Sequence, residues 1–185
     1  MLVFSASLRA ESLNTRLAKL AARVIADHGG TIDLAAMSEF DCPSYNQDAQ
    51  ATGFPPGAEQ FRSRLEDVDA FVIASPEYNG SFPGVLKNAI DWVSRLQNQP
   101  FAGKPVALQS VSPGPVGGAR VQYDLRKSMM FLDAFTLNKP EIFIGNCASK
   151  FDEKTGELKD EVTRGLLKQQ LASFATFIAR VAAKS

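Results

Sequence analysis

Short apolar runs alternate along this chain with longer segments in which apolar residues recur at helical spacing, and this alternation limits the possible folds more than any other feature. The runs are rich in β-branched residues and are followed each time by helical spacing. They are Leu2–Ser5, Thr31–Leu34, Ala70–Ala74, Val106–Val111 and Glu141–Ile144. The run at 70–74 is apolar throughout, which is typical of a strand covered on both faces in a parallel sheet.

Five strand–helix repeats predict a doubly wound, three-layer α/β sandwich around a five-stranded parallel sheet in the order 2-1-3-4-5, the flavodoxin-like arrangement. In such sheets, ligands bind beyond the carboxyl ends of the strands, at the switch point between strands 1 and 3. We therefore expect functional residues in the loops that follow Ser5 and Ser75, with the loop after Val111 beside them.

Charge and composition exclude several classes of function. The chain has 185 residues, with 20 Lys and Arg against 20 Asp and Glu, which predicts one domain over 1–185 and no nucleic acid partner. It has neither a basic leader nor an apolar run of about 20 residues, so we expect a cytoplasmic protein without a membrane span. Cys42, Cys147 and the single His28 give neither a metal-ligand spacing nor a Ser-His-Asp triad, so no metal is expected.

The first loop carries many hydrogen-bond donors at the predicted start of a helix. Its polar side chains are Ser5, Ser7, Arg9, Ser12, Asn14 and Thr15. A helix N-terminus offers unpaired N–H groups and a partial positive charge, which suit a phosphate, and an arginine can pair with a phosphate through two bonds. The alternative is a polar loop in which Ser12 or Asn14 is only the N-cap. We favour phosphate binding, although the common nucleotide motifs GxGxxG and GxxxxGK(S/T) are absent.

Proline and glycine shape the backbones of the second and third loops. The second loop contains Pro76, Glu77, Tyr78, Asn79 and Gly80. Its backbone can face the edge of a planar ring, or it is a tight turn before a helix that Pro83 opens. The third loop contains Ser112, Gly114, Gly117 and Gly118. Its glycines permit the close approach of another molecule, or it is an ordinary connection, and we favour ligand contact.

The segment 75–92 and the first loop together resemble the signatures of the NADPH-dependent FMN reductase family, which includes chromate and quinone reductases and some azoreductases. The resemblance extends over the whole chain in the order of strands and helices, although Ala6 stands where many members have glycine. It implies that the first loop holds the phosphate of FMN, and that 76–80 and the third loop border the isoalloxazine ring. The segment 42–48 resembles a further family segment near the site, but we favour an ordinary polar loop with a structural Cys42.

The resemblance also implies an activity. A hydride passes from NADPH or NADH to N5 of the flavin and then to a small-molecule acceptor, such as free flavin, a quinone, an azo compound or chromate. The two substrates share one site, so ping-pong kinetics are expected. No side chain is then needed as a catalytic nucleophile, because the cofactor supplies the chemistry. We expect Glu77 to be a solvated or backbone-orienting carboxylate, and the family implies a homodimer or a homotetramer.

Two other functions stay open from the residues alone. The chain could be a non-catalytic electron carrier that binds FMN, although such carriers are usually acidic and this chain is neutral. It could also be a regulatory or structural domain that binds no flavin, against which the donor-rich first loop argues. Reduction of the bound flavin by NADPH distinguishes the enzyme from the carrier, and binding of added FMN distinguishes both from the third function.

Overall fold

A parallel sheet with helices on both of its faces makes up the fold. The computed structural model describes residues 1–152 and 155–183. The strands are β1 (Leu2–Ser5), β2 (Asp33–Ala35), β3 (Phe71–Ala74), β4 (Pro105–Val111), β5 (Phe135–Thr136) and β6 (Ile142–Ile144). The helices are α1 (Leu13–Asp27), α2 (Gln47–Gln50), α3 (Pro56–Glu66), α4 (Gly84–Val93), α5 (Ala119–Phe131), α6 (Cys147–Lys150) and α7 (Glu161–Ala182), with a 3₁₀ helix at Met37–Phe40.

The strand order is β2-β1-β3-β4-β5 with parallel pairing, so the predicted 2-1-3-4-5 order and the flavodoxin-like α/β sandwich are confirmed. The position beside β4 at the edge of the sheet differs from the prediction of a single fifth strand, because the two short strands β5 and β6 share it. β5 pairs with Pro105 and Val106 at the start of β4, and β6 pairs with 109–111 at its end. Pro140 lies between β5 and β6 and has no N–H to donate to the sheet.

Each face of the sheet carries its own apolar core, because successive residues of a strand point to opposite faces. Phe4 faces one side, where its ring packs edge-on against Phe40 and Phe61, with centroids 5.6 and 5.5 Å apart, under α3, α4 and α5. Val3 faces the other side, where it packs with residues of α1 and α7. Burying an aromatic or aliphatic side chain of this size contributes about 1.5–3 kcal/mol, so the two cores fix the strand ends relative to the helices.

The five long helices appear where the apolar spacing predicts them. α1 ends at Asp27 and is followed by Gly29 at φ +84°, as expected of a glycine C-terminal stop, and Pro83 is the N-cap of α4. Val68, which the spacing assigns to the second helix, lies beyond α3, because that helix ends at Glu66. The four-residue helices α2 and α6 were not predicted, because they are too short to show a period. Over the described residues, no helix is both long enough and apolar enough to cross a membrane.

Candidate functional site

The three predicted loops begin side by side at the carboxyl edge of the sheet. In the strand register, Ser5 lies beside Ala74, and Ala74 lies beside Gln109. Backbone hydrogen bonds fix the end of β1 beside β3 and the end of β3 beside β4. Ala6 N–H donates to the Ala74 carbonyl, and Ser75 N–H donates to the Gln109 carbonyl, both at 2.9 Å. The first and second loops therefore start next to each other, and β4 runs two residues further before the third loop begins.

The N-terminus of α1 is open to an anion. Its N-cap is Ser12, which is buried but makes no side-chain capping hydrogen bond, and its first turn has no acidic residue. The first bond of the helix runs from Arg16 N–H to the Ser12 carbonyl, so the N–H groups of 13–15 have no acceptor within the helix. Ser5 is only 4% exposed, and its hydroxyl has no hydrogen-bond partner. Ser5 lies on the same sheet face as Val3, the face that α1 covers.

The other polar residues of the first loop lie just before this helix end or in its first turn. Ser7 is buried, and its hydroxyl accepts from Arg9 N–H at 3.3 Å. Arg9 is exposed, and its Nη2 donates to the Glu11 carbonyl at 2.8 Å, which holds the guanidinium near the loop. Thr15 is half-buried in the first turn of α1. An unpaired buried hydroxyl, uncapped N–H groups and a nearby guanidinium together suit a phosphate.

Asn14 differs from the other predicted phosphate donors. Its Nδ2 donates to the Val111 carbonyl at 3.0 Å, and its Oδ1 accepts from Val111 N–H at 3.1 Å, with both bonds buried. The side chain therefore ties the first turn of α1 to the end of β4. The sequence analysis placed Asn14 among the phosphate donors, with the N-cap as the alternative; the N-cap is Ser12, and nothing in the sequence identifies Val111 as the partner of Asn14.

A tight turn explains two of the predicted residues in the second loop. Asn79 and Gly80 have φ of +53° and +78°, and the backbones of Tyr78 and Ser81 exchange hydrogen bonds of 2.9 and 3.1 Å. This is the geometry of a two-residue type I′ turn, for which Asn-Gly is the preferred pair. Tyr78 stands at the turn with 51% of its surface exposed, and Pro76 is buried below it. The ring of Tyr78 is therefore half exposed in the loop that follows β3.

Glu77 caps α5. Its side chain is 14% exposed, and Oε2 accepts from the N–H groups of Arg120 and Val121 at 3.1 and 3.4 Å. Its Oε1 accepts from Arg120 Nη1 at 3.1 Å. The N-cap of this helix is Gly118, which has no side chain to cap it. A carboxylate of the protein therefore occupies the N-terminus of α5, whereas the N-terminus of α1 has none. The sequence left open whether Glu77 is solvated or orients backbone, and its contacts are those of a backbone-orienting carboxylate.

The glycines of the third loop have different roles. Gly117 and Gly118 are buried and have φ of +65° and +79°. A Cβ on Gly117 would lie 2.6 Å from the carbonyl carbon of Phe143, and one on Gly118 would lie 2.8 Å from Ser110 Cβ. Gly114 is exposed, and the half-buried Ser112 donates to its carbonyl at 3.4 Å. Gly117 and Gly118 thus pack the loop onto the sheet, and Gly114 lies on the open side.

Two residues of α4 that were not predicted as functional bind the segment 42–45 to this helix. Asn88 Nδ2 donates to the carbonyls of Cys42 and Pro43 at 2.9 and 3.0 Å, and its Oδ1 accepts from Tyr45 N–H at 2.8 Å. Trp92 Nε1 donates to the Pro43 carbonyl at 2.8 Å. A buried Trp and an Asn within an otherwise apolar helical stripe were the available signals for this anchor.

The two thiols are poor nucleophiles. Burial, together with the nearby Asp41 carboxylate, raises the pKa of Cys42 to about 11. Burial also raises the pKa of Cys147. Because the thiolate is the reactive form, neither cysteine is activated at neutral pH. The residues at the carboxyl edge of the sheet can therefore bind and orient a phosphate, but neither cysteine supplies an activated thiol.

The candidate site would not be found from cavity volume. A cavity of about 760 Å³ runs along the outer face of α1, and none of the predicted phosphate donors lines it. Its lining includes two ion pairs, Arg16 with Glu11 at 2.7 Å and Arg23 with Glu157 at 4.0 Å. The candidate site is instead an open edge defined by its hydrogen-bonding groups.

Comparison with known proteins agrees with this geometry. The model of the NADPH-dependent FMN reductase family matches residues 1–149. An NAD(P)H-dependent FMN reductase of Pseudomonas aeruginosa is 44% identical over 181 residues, covering 98% of this chain and 96% of the relative. A quinone reductase of Escherichia coli K12 is 44% identical over 177 residues, covering 95% and 93%.

A solved structure gives the same result at the level of the fold. The flavoenzyme NAD(P)H:(acceptor) oxidoreductase FerB of Paracoccus denitrificans superposes with a TM-score of 0.84 at 32% identity, covering 97% of this chain and 96% of that one. The flavodoxin-like sheet, the donor-rich start of α1 and these relatives agree over nearly the full length. The chain therefore belongs to the NADPH-dependent FMN reductase family and is an FMN-dependent NAD(P)H oxidoreductase.

Proposed function

We propose that the N-terminus of α1 holds the phosphate of FMN. The observation that carries this proposal is the buried, unpartnered hydroxyl of Ser5 beside a helix end that no side chain caps. A buried polar group without a partner costs free energy, and a phosphate oxygen would satisfy it. Ser7, Ser12, Thr15 and the guanidinium of Arg9 are the further groups that we assign to the phosphate, together with the helix N–H groups.

We assign the isoalloxazine ring to the surface between the second and third loops. Pro76, Glu77, Tyr78, Asn79 and Gly80 shape one side, mainly through backbone held by the type I′ turn and by the Glu77 cap. The other side consists of the third-loop residues Ser112 and Gly114, with Gly117 and Gly118 fixing its backbone. Gly114 has no side chain and is exposed, so a flat ring can approach the main chain closely there.

When bound, FMN would supply the hydride chemistry between NADPH or NADH and the acceptor. The protein's own part is to bind and orient the flavin and to leave one face of the site open. We propose a small-molecule acceptor of the quinone class, because the relatives at 44% identity include a named quinone reductase. Since donor and acceptor would use the same open edge, we expect ping-pong kinetics. The whole chain acts in this proposal as one flavin-binding domain in the cytoplasm.

The phosphate assignment predicts a loss of FMN affinity in Arg9→Ala. A hydrogen bond to a charged group contributes about 1.5–3 kcal/mol, so we expect FMN binding to weaken by a factor of about 10–150. Fluorescence titration of the flavin-free protein measures this, and riboflavin, which lacks the phosphate, should bind the variant and the wild type equally. Arg180→Ala, in the last turn of α7, is the matched control. Unchanged FMN affinity in Arg9→Ala would remove Arg9 from the site.

The activity is tested by the visible spectrum of the FMN-loaded protein under anaerobic conditions. Rapid bleaching of the flavin bands on addition of NADPH or NADH, and their return on addition of a quinone, is the expected result. A flavin spectrum that neither nicotinamide changes would favour the non-catalytic electron carrier. A protein that binds no added FMN would contradict the proposed site altogether.

We also propose that the protein assembles as a homodimer or a homotetramer. Three large apolar side chains near the end of α5 and at β5 support this: Met130 is 75% exposed, Phe131 is 87% exposed and Phe135 is 43% exposed. Clustered exposed apolar groups of this size mark association surfaces. Light scattering should give two or four times the 20.0 kDa chain mass, and Phe131→Asp should lower it. A monomeric wild type would refute the proposal.

A further inference from the structure

We infer that Asn14 is a positioning residue. It couples the position of α1, to which we assign the phosphate, to that of the third loop, to which we assign the ring. The inference rests on the proposed FMN site. It assigns the Asn14 side chain no contact with the phosphate, although Asn14 lies among the residues whose side chains we assign to it. From the first turn of α1, Asn14 holds Val111, the residue from which the third loop begins.

The strand ends explain why such a residue is needed. β3 ends at Ala74, level with Gln109, so it no longer runs beside Val111 at the end of β4. On its other side, β4 is still paired with β6, where Val111 lies beside Ile144. The Val111 N–H and carbonyl that bond Asn14 are buried at this end of the sheet.

The Asn14 side chain takes the place of the missing strand. A carboxamide has one carbonyl and one NH₂ group, so it can pair with a peptide unit as a neighbouring strand does. Both bonds are formed, at 3.0 and 3.1 Å, between residues that are 97 positions apart in the chain. Asn14 itself is 3% exposed, so water cannot readily replace it.

The position of Val111 connects this pair to the ring site. Val111 is the last residue of β4, Ser112 follows it directly, and Gly114 lies three positions after Val111. A displacement of Val111 would move those two residues relative to the second loop. The N–H groups that we assign to the phosphate belong to the same helical turn as Asn14. Binding at one end of the site should therefore order the other end.

Two flavins separate this role from phosphate binding. In Asn14→Ala, two buried backbone groups lose their partner, and we expect the affinities for FMN and for riboflavin to fall by the same factor, about tenfold. The spectrum of bound riboflavin should shift as well, because its ring environment changes. Ser12→Ala, in the same loop, is the matched comparison, and it should weaken FMN binding while leaving riboflavin binding unchanged.

Two results of the FMN and riboflavin titrations would overturn the inference. If Asn14→Ala weakens only FMN binding, Asn14 is a phosphate ligand and the inference is overturned. It is also overturned if the variant binds both flavins as the wild type does. If the wild type itself binds neither flavin, the proposed function fails instead.

A measurement on the wild type covers the case in which Asn14→Ala does not fold. Hydrogen exchange is followed with and without inorganic phosphate, which can occupy only the phosphate end of the site. We expect phosphate to slow exchange of the amide hydrogens between 111 and 118, where only Pro113 and Pro115 have none, as well as those at 13–15. Protection confined to 13–15 would show that the two ends are not coupled through Asn14, and the inference would be wrong.

Discussion

Gly117→Ala should destabilise the protein by about 3 kcal/mol. The added Cβ would lie 2.6–2.8 Å from backbone atoms of Phe143, Ile144 and Gly145, none of which can rotate away. The left-handed backbone at φ +65° adds about 1–2 kcal/mol for any residue with a Cβ, and overpacking costs about 1–3 kcal/mol. For a chain of this length, the melting temperature should fall by about 6–12 °C. Thermal unfolding followed by circular dichroism measures this.

Gly114→Ala is the control for that experiment, because it adds the same methyl group to the same loop. The nearest atom to its Cβ is Ser112 Oγ at 3.9 Å, which is ordinary contact. Stability should be unchanged or slightly higher, since alanine lowers the entropy of the unfolded chain. Because Gly114 lies on the open side of the loop, this variant should still lose affinity for riboflavin if the ring lies there. Equal melting temperatures for the two variants would contradict the packing role of Gly117.

Glu77→Ala should lower the free energy of unfolding by about 2–3 kcal/mol and weaken riboflavin binding about tenfold. The carboxylate accepts from two backbone N–H groups and from the Arg120 guanidinium, and bonds to a charged acceptor contribute about 1.5–3 kcal/mol. Its loss would leave the N-terminus of α5 uncapped and would free the second loop from the third. Urea unfolding and riboflavin titration of the same preparation measure the two effects.

Glu161→Ala is the matched control, since Glu161 also lies in the first turn of a helix. Its side chain is 80% exposed, and it pairs with Arg164 only at 3.7 Å. Exposed charges at helix ends contribute less than about 1 kcal/mol, so this variant should unfold almost as the wild type does and should bind riboflavin normally. If both variants were equally stable, the Glu77 cap would carry little of the loop geometry.

The division of the fifth strand shows where the apolar pattern is no longer informative. The run at 141–144 marked β6, because its apolar residues are contiguous. β5 has only two residues, Phe135 and Thr136, and neither is fully buried, so neither period nor burial distinguishes it from a loop. Its pairing with Pro105 and Val106 is a consequence of the position of β4.

The second loop shows the same limit within the site. Asn79-Gly80 is a local signal, and the type I′ turn could have been predicted from those two residues. Glu77 lies only two positions earlier, but its partners are 43 and 44 positions away. Nothing in the local sequence distinguishes a helix-capping carboxylate from one that faces a flavin.

The sequence by itself determined the order of strands and helices, the strand order of the sheet and the three loops at its carboxyl edge. Those properties follow from hydrophobic period and chain connectivity, which are local or nearly so. Only the tertiary structure decided that Asn14 bonds Val111, that Glu77 caps α5 and that Gly117 packs on Phe143. Each of these contacts joins two segments that are distant in the sequence and meet only when the two cores have packed. The type of one residue does not identify a partner that is so far away in the sequence.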